Sequence, residues 1–232
     1  MVTPSQVDTA STLPPVSQRL QTMPVHKQSH LHNNRTRVTQ LHDSNPFATR
    51  FIRPGAIPFH SANNAVNEIG RQLAQQAWRG AIVGPHGVGK STLLATLEPQ
   101  WALWNRQSFH WQLSRTKLVD LVRLPLTRHT QVIVDGYAQL PWWTRWRLEK
   151  WIEAREAGLL VTAHHPPRSL PVTYRCEGSL AATRAIVRHL LASASSPQAI
   201  SEADLAHHFA ASDGNVRETL LRLFDLYRTR TQ

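Results

Sequence analysis

The sequence predicts an α/β domain, a parallel sheet flanked by helices, with a small C-terminal helical lid. Two observations carry that reading. Up to about residue 177, short apolar runs alternate with stretches of helical spacing, the rhythm of strand–helix–strand units in a parallel sheet. Beyond that point the pattern is helical throughout. A glycine-rich turn between the first apolar run and the helix behind it marks where such a sheet would keep its chemistry.

The 232 residues divide into three stretches: a disordered tail over 1–45, an α/β core over 46–177 and a helical lid over 178–232. The tail has no aromatic residue before Phe47 and is rich in Ser, Thr, Gln, His and Pro, so it cannot bury enough apolar surface to fold. Its His26, His30, His32 and His42 have nothing to fix a metal geometry and read as solvated side chains. Phe51, Ile52, Ile57 and Phe59, set among Pro54, Gly55 and Pro58, read as an extended lead-in that packs on a core.

Ser61 then caps a helix over 62–78, with Val66, Ile69, Leu73 and Ala77 as its apolar stripe and Gly80 as its breaker. Strands are expected over 81–83, 108–113, 131–135, 159–162 and 172–176. Between them lie helices over 91–98, stopped by Pro99, over 116–124, and over 141–157, with Pro141 in its first turn and Gly158 beyond its end. Three more helices follow, over 179–194, from Ser201 with the capping-box form Ser201…Asp204, and over 215–228. The last places Val216, Leu220, Leu223, Phe224 and Tyr227 on one side.

A single cysteine, Cys176, excludes an internal disulfide and a zinc cluster of thiolates, and reads as a small apolar residue at a strand end. No run approaches the roughly 18 apolar residues that span a bilayer, and no apolar signal segment opens the chain, so no membrane partner is expected and the default location is cytoplasmic. A formal charge of +11 suits either a polyanionic partner or a merely basic surface.

The turn itself is specific. Gly84-Pro85-His86-Gly87-Val88-Gly89-Lys90-Ser91 matches the phosphate-loop pattern G-x-x-x-x-G-K-[ST] in full. Glycines let backbone N–H groups face an anion, and a helix starting near Lys90 points its positive end at the same place. Lys90 is expected to reach the outer phosphates and the Ser91 hydroxyl to ligate Mg²⁺, and the nucleotide-binding stretch is expected to run from Gly84 to Thr92. His86 fills the loop or touches phosphate. A magnesium nucleotide also needs a carboxylate at the end of a buried strand, and Asp135 supplies it, so Ser91 and Asp135 are the metal ligands. The expected ligand is ATP with Mg²⁺; the absence of the N-K-x-D motif of GTP-binding proteins argues for it indirectly.

The spacing from Lys90 to Asp135 leaves room for one intervening strand, which is similar to P-loop ATPases in which another strand lies between those of the two motifs; that resemblance implies 159–162 as the inserted strand. Thr162 or His164 at its end would then sit beside the γ-phosphate as a polar sensor; a solvated strand end is the alternative. Asp135-Gly136-Tyr137-Ala138-Gln139-Leu140 lacks the glutamate that commonly follows such an aspartate to activate water. Gln139 can orient a water without acting as a strong base, so hydrolysis is expected to be slow or partner-dependent.

On these residues the chain resembles the P-loop NTPases, and within them the AAA+ ATPases, over about 60–228. Gly214-Asn215-Val216-Arg217-Glu218 is similar to the sensor-2 motif of AAA+ lids, which implies that Arg217 reaches toward the γ-phosphate; an ordinary turn with a surface Arg–Glu pair is the other reading. The resemblance implies a finger or sensor role for Arg175, an adenine pocket lined by Phe51, Arg53, Pro54 and Ile57, and oligomerisation.

Trp142, Trp143, Arg145, Trp146, Arg147, Lys150, Trp151 and Arg155 crowd one helix. Three readings stay open: Trp142, Trp146 and Ile152 pack on the sheet, the Trp/Arg set binds nucleic acid, or it anchors a protein partner. Three functions compete accordingly: an AAA+-like ATPase or switch; a small-molecule or nucleotide kinase, to which Asp135-Gly136-Tyr137 is distantly similar; and a basic nucleic-acid-binding protein with a structural nucleotide.

Overall fold

The computed structural model describes residues 45–57, 59–60, 65–112 and 125–232; the tail, the cap Ser61 and the helix expected over 116–124 lie outside the described residues. Five strands form one parallel sheet: β1 Arg79–Val83, β2 Gln107–Gln112, β3 Thr130–Asp135, β4 Gly158–Ala163 and β5 Val172–Arg175. Their spatial order is β2-β3-β4-β1-β5. The strand expected to insert between β1 and β3 does so: β4 pairs Ala163 with Val83 on one side and Val161 with Val134 on the other.

Side chains alternate across a strand, and the two faces of this sheet bury different cores. Ile82, Ile133 and Leu160 face Ile69 and Leu73 of α2 (Ala65–Gln75), Leu93 and Leu97 of α3 (Lys90–Leu97), and Trp101 of α4 (Gln100–Leu103). Ala81, Val132, Val134, Leu159 and Val161 face Leu148 and Ile152 of α5 (Trp142–Glu153). With both faces covered, β4 is buried at every position, which is why it reads as an unbroken apolar run.

The third core is helical. Leu190 of α6 (Leu180–Leu191), Leu205 of α7 (Glu202–Ala211), and Leu220, Leu223 and Tyr227 of α8 (Val216–Thr231) enclose Phe47 and Ile57 from the lead-in. Phe47 meets Tyr227 edge-on at 6.0 Å, and Asn45 Nδ2 donates to the Phe224 carbonyl at 2.9 Å. The capping box at Ser201 and Asp204 forms as expected, and Arg230 grips the same Asp204 through two hydrogen bonds of 2.6 and 2.9 Å, tying the end of α8 to the start of α7. Among the described residues no helix is long and apolar enough to cross a membrane.

Several boundaries differ from expectation. The lead-in is not wholly extended: Thr49–Ile52 forms a helical turn, α1. Helix α2 stops at Gln75, since Ala77 and Trp78 take φ of 52° and 61°; Ala77 is exposed, while the Trp78 ring stacks under Arg106 at 4.3 Å. Arg106 is buried, donates to the Thr130 carbonyl at 2.7 Å, and is pulled down to about 10 by that burial. Helix α3 ends at Leu97, ahead of Pro99 as expected, and Pro99 then caps a further short helix, α4, which buries Trp101 completely against α3 and the sheet. Gly158, expected as the stop behind α5, instead opens β4 beside Gln131.

Of the three residues expected to pack the tryptophan helix on the sheet, Ile152 does so and Trp142 and Trp146 do not. Thr144, Leu148 and Ile152 form its buried face, while Trp142 and Trp146 are 74% and 59% exposed. Leu and Ile at 148 and 152 fill the interstrand grooves without an indole N–H to satisfy.

Leu160 sits at the centre of the most enclosed strand. Leu160→Ala is expected to cost about 2–5 kcal/mol of stability, read from the urea midpoint at unchanged slope.

Candidate functional site

In an open parallel sheet, ligands bind beyond the carboxyl ends of the strands. Here β1, β3, β4 and β5 all finish at one edge, which gathers Gly84, Asp135, His164 and Arg175 within a few residues of their strand ends. The glycine loop leaves β1 pinned on both sides. Gly84 N–H donates to Ala163 of β4 at 3.2 Å, and Cys176 N–H donates to Val83 at 2.7 Å. The loop runs so close to the exit of β5 that a Cβ on Gly84 would lie 2.2 Å from the Cys176 carbonyl oxygen. Cys176 is buried there, and burial pushes its thiol up to about 12, so it stays neutral and acts as packing.

Lys90 folds back into the loop. Its Nζ donates to the carbonyls of Gly84 and Pro85 at 2.7 and 2.5 Å, and partial burial lowers its pKa, opposed by the Asp135 carboxylate. Gly89, at φ 100°, precedes α3 and provides no side-chain cap. The first N–H groups of that helix therefore have no intrahelical acceptor and face outward as an anion-attracting end. Pro85 and His86 are exposed, Val88 is buried in the α2/α3 core, and Thr92 uses its carbonyl to accept from Thr96.

Asp135 joins this loop to the far strand. One carboxylate oxygen accepts from Ser91 Oγ at 2.8 Å; the other accepts from Thr162 Oγ1 at 2.5 Å. Thr162 is buried, and its own hydroxyl accepts from Gly136 N–H at 2.9 Å. Thr162 is thus committed to orienting Asp135, a role that β4's insertion between β1 and β3 makes available. Ser91 and Asp135 offer the hard oxygen donors that Mg²⁺ takes, in the small number it requires from protein when phosphates and water complete its shell. Among the described residues no group of three or more His, Cys, Asp or Glu side chains could hold a metal by itself.

His164 stacks on His86 with ring centroids 3.7 Å apart and planes inclined by 33°. Its Nδ1 is buried without a hydrogen-bond partner. Burial first, then the charges of Lys90 and His86, hold His164 below the ordinary histidine pKa.

The C-terminal helices touch the loop through Asn215 and Arg217 of the sensor-2-like segment, but not through the Arg217 side chain. Asn215 caps α8 by accepting from Glu218 N–H at 3.1 Å, and its Oδ1 lies 1.9 Å from where a Cβ on Gly87 would stand. Arg217 contributes its main-chain N–H to the Gly87 carbonyl at 3.1 Å, while the residue itself is exposed. Gly214-Asn215 ahead of a helical pattern is a cap signal, so Asn215 was findable as a cap; its contact with Gly87 was not.

Other expected site residues fall elsewhere. Gln139 is exposed on the 3-10 turn Tyr137–Gln139, and no hydrogen bond joins its side chain to Asp135 or Ser91. Arg175 is exposed at the end of β5, level with Val83. The lead-in does not bring Ile57 to the loop: Ile57 is buried in the helical core, Arg53 and Pro54 are exposed, and Phe51 lies under the Arg50 guanidinium at 4.6 Å. Phe59 is the lead-in residue at the loop, 3.4 Å from where a Cβ on Gly89 would stand and edge-on to Tyr174 at 6.2 Å. Comparison with protein-family models finds no match to this chain, and comparison with curated proteins finds none.

Two outcomes are expected. Gly87→Ala combines a side chain at φ 75° with a collision on Asn215, and should lose about 1–3 kcal/mol in urea unfolding, with faster amide exchange in the first turn of α8. Because folding favours neutral His164, the unfolded chain binds more protons between the depressed folded pKa and the ordinary value near about 6.5. Stability supplied by this site is present above that value and is lost as pH falls through the window. His164→Gln should flatten the melting-temperature decline between about pH 7 and 5 relative to the native chain.

Proposed function

We propose that this chain is an AAA+-like P-loop protein that binds Mg-ATP at Gly84–Thr92 and turns it over slowly or on a partner's demand. One observation carries the reading: the Ser91–Asp135 hydrogen bond, made across the sheet beside a lysine held inside the loop. A cation, a hydroxyl and a carboxylate at that spacing are what a magnesium nucleotide needs from a protein.

Bound Mg-ATP would supply the phosphoryl group and most of the local charge. In this reading Lys90 exchanges its two carbonyl partners for phosphate oxygens, and Ser91 and Asp135 ligate the metal. Thr162 keeps Asp135 aimed by holding its second oxygen. Phe59 and Tyr174 offer aromatic surface on the loop's flank for a base. Gly136 stands where a water-activating carboxylate would follow Asp135, and Gln139 and Ala138 point to no strong base in the same turn. Slow intrinsic hydrolysis follows from that deficit. The contact of Arg217 and Asn215 with Gly87 gives loop occupancy a direct mechanical route into α8, which suits a switch.

The test is Mg-ATP binding by calorimetry together with phosphate release. The native chain should bind, with turnover well below once per second. Lys90→Ala should weaken binding by about tenfold to a hundredfold, the worth of a charge-assisted contact. Thr162→Val should leave affinity near native while turnover falls, because it disturbs only the aim of Asp135. Absence of Mg-ATP binding by the native chain would reject the proposal.

A further inference from the structure

Helix α5 shows solvent a surface that its packing does not explain. Trp142, Trp143 and Trp146 are 74%, 49% and 59% exposed. Residues three and four apart are neighbours on a helix, so Trp142 touches the position of Trp146, Trp143 that of Trp146 and Arg147, and Trp146 that of Lys150. The result is three exposed indoles on one side of the helix, with the exposed Arg147 and Lys150 beside them. Exposed apolar patches of this kind mark interaction sites.

The make-up of the patch selects its partner. Its apolar members are all indoles; the aliphatic residues of α5, Leu148 and Ile152, are on the buried side. Flat, rigid rings beside cations suit stacked bases on a phosphate backbone better than the mixed side chains of a protein. The single acid on this exposed arc, Glu153, is occupied by Lys150 at 3.0 Å and by Arg79 at 3.8 Å. A second copy of the chain would bring +11 against +11, whereas a polyanion is drawn in by the same field. Duplex bases are already stacked on each other and offer no free faces; single strands do.

We infer that the Trp142–Trp143–Trp146 face of α5 binds single-stranded nucleic acid, with the indoles stacking on bases and Arg147 neutralising phosphate. The inference stands on this face alone and does not require the nucleotide reading. Its link to the loop is structural: α5 follows Asp135 through the turn Tyr137–Gln139, and the Tyr137 hydroxyl donates to Glu149 of α5.

The test uses the full chain without nucleotide and a fluorescently labelled oligothymidylate, followed by anisotropy. Binding should weaken steeply with salt and quench tryptophan emission. Trp142→Ala with Trp146→Ala should weaken it by about tenfold or more, and the two Phe replacements should retain most of it, since stacking needs a ring rather than an indole N–H. Both residues are exposed, so thermal melting should be unchanged and loss of binding cannot be loss of fold. The inference is overturned if the double Ala chain binds within about twofold of native, which would assign binding to basic residues elsewhere, or if duplex binds as tightly as single strand. It is equally overturned if the native chain binds no oligonucleotide, or if an acidic peptide, and not an unlabelled oligonucleotide, displaces the probe.

Discussion

The carboxylate of Asp135 is the point at which the architecture of this protein converges. It terminates β3, takes a hydrogen bond from Ser91 at the start of α3, and takes another from Thr162 near the end of β4. Three elements distant in sequence are thereby held in one register at the carboxyl edge of the sheet. The arrangement exists only because β4 lies between β1 and β3: a strand elsewhere could not present a hydroxyl to Asp135 while hydrogen-bonding the strand that leads into the glycine loop. Complete burial of β4 supplies the driving force for that insertion, and the polar trio at its end is the cost-limiting part, because each partly buried oxygen has to find a donor.

The glycine loop is constrained from outside as much as by its own residues. The exit of β5 presses on Gly84, Phe59 approaches Gly89, and the cap of α8 fills the space beside Gly87. Since α8 also shares a core with Phe47 and Ile57 of the lead-in, the segments before and after the sheet are one packed unit. A displacement of the loop at Gly87 therefore has a defined recipient, the first turn of α8. The stacked pair His86 and His164 is a second such link, from the loop to the end of β4, and burial, then the charge of Lys90, hold His164 below the ordinary histidine pKa there.

Much of this was legible in the chain. The loop motif is local, and its residues adopt the backbone that their glycines and the following helical pattern require. The alternating apolar runs announced a parallel sheet, and Asp135 at the end of 132–134 was recognisable as its acidic terminus. Element ends were less legible where a side chain's tertiary partner overruled a local signal: Trp78 turns out of α2 to stack with Arg106. Pro99 stopped α3 as its ring requires, but the short helix behind it that buries Trp101 had no local signature. Phe59 was visible as an apolar lead-in residue, but nothing local distinguished it from Ile57, which packs instead on helices well over a hundred residues away.

The sequence by itself determined the glycine turn between β1 and α3, the α/β class and the helical C-terminal stretch, because each follows from backbone preferences and periodicities within a few turns of chain. Only the tertiary structure decided that Thr162 aims Asp135, that Asn215 rather than the Arg217 side chain meets the loop, and that three tryptophans of α5 face solvent. Those outcomes depend on which of several apolar or polar candidates finds a complementary surface. That choice is made by packing across the sheet and between helices, where residues far apart in the chain compete for the same space.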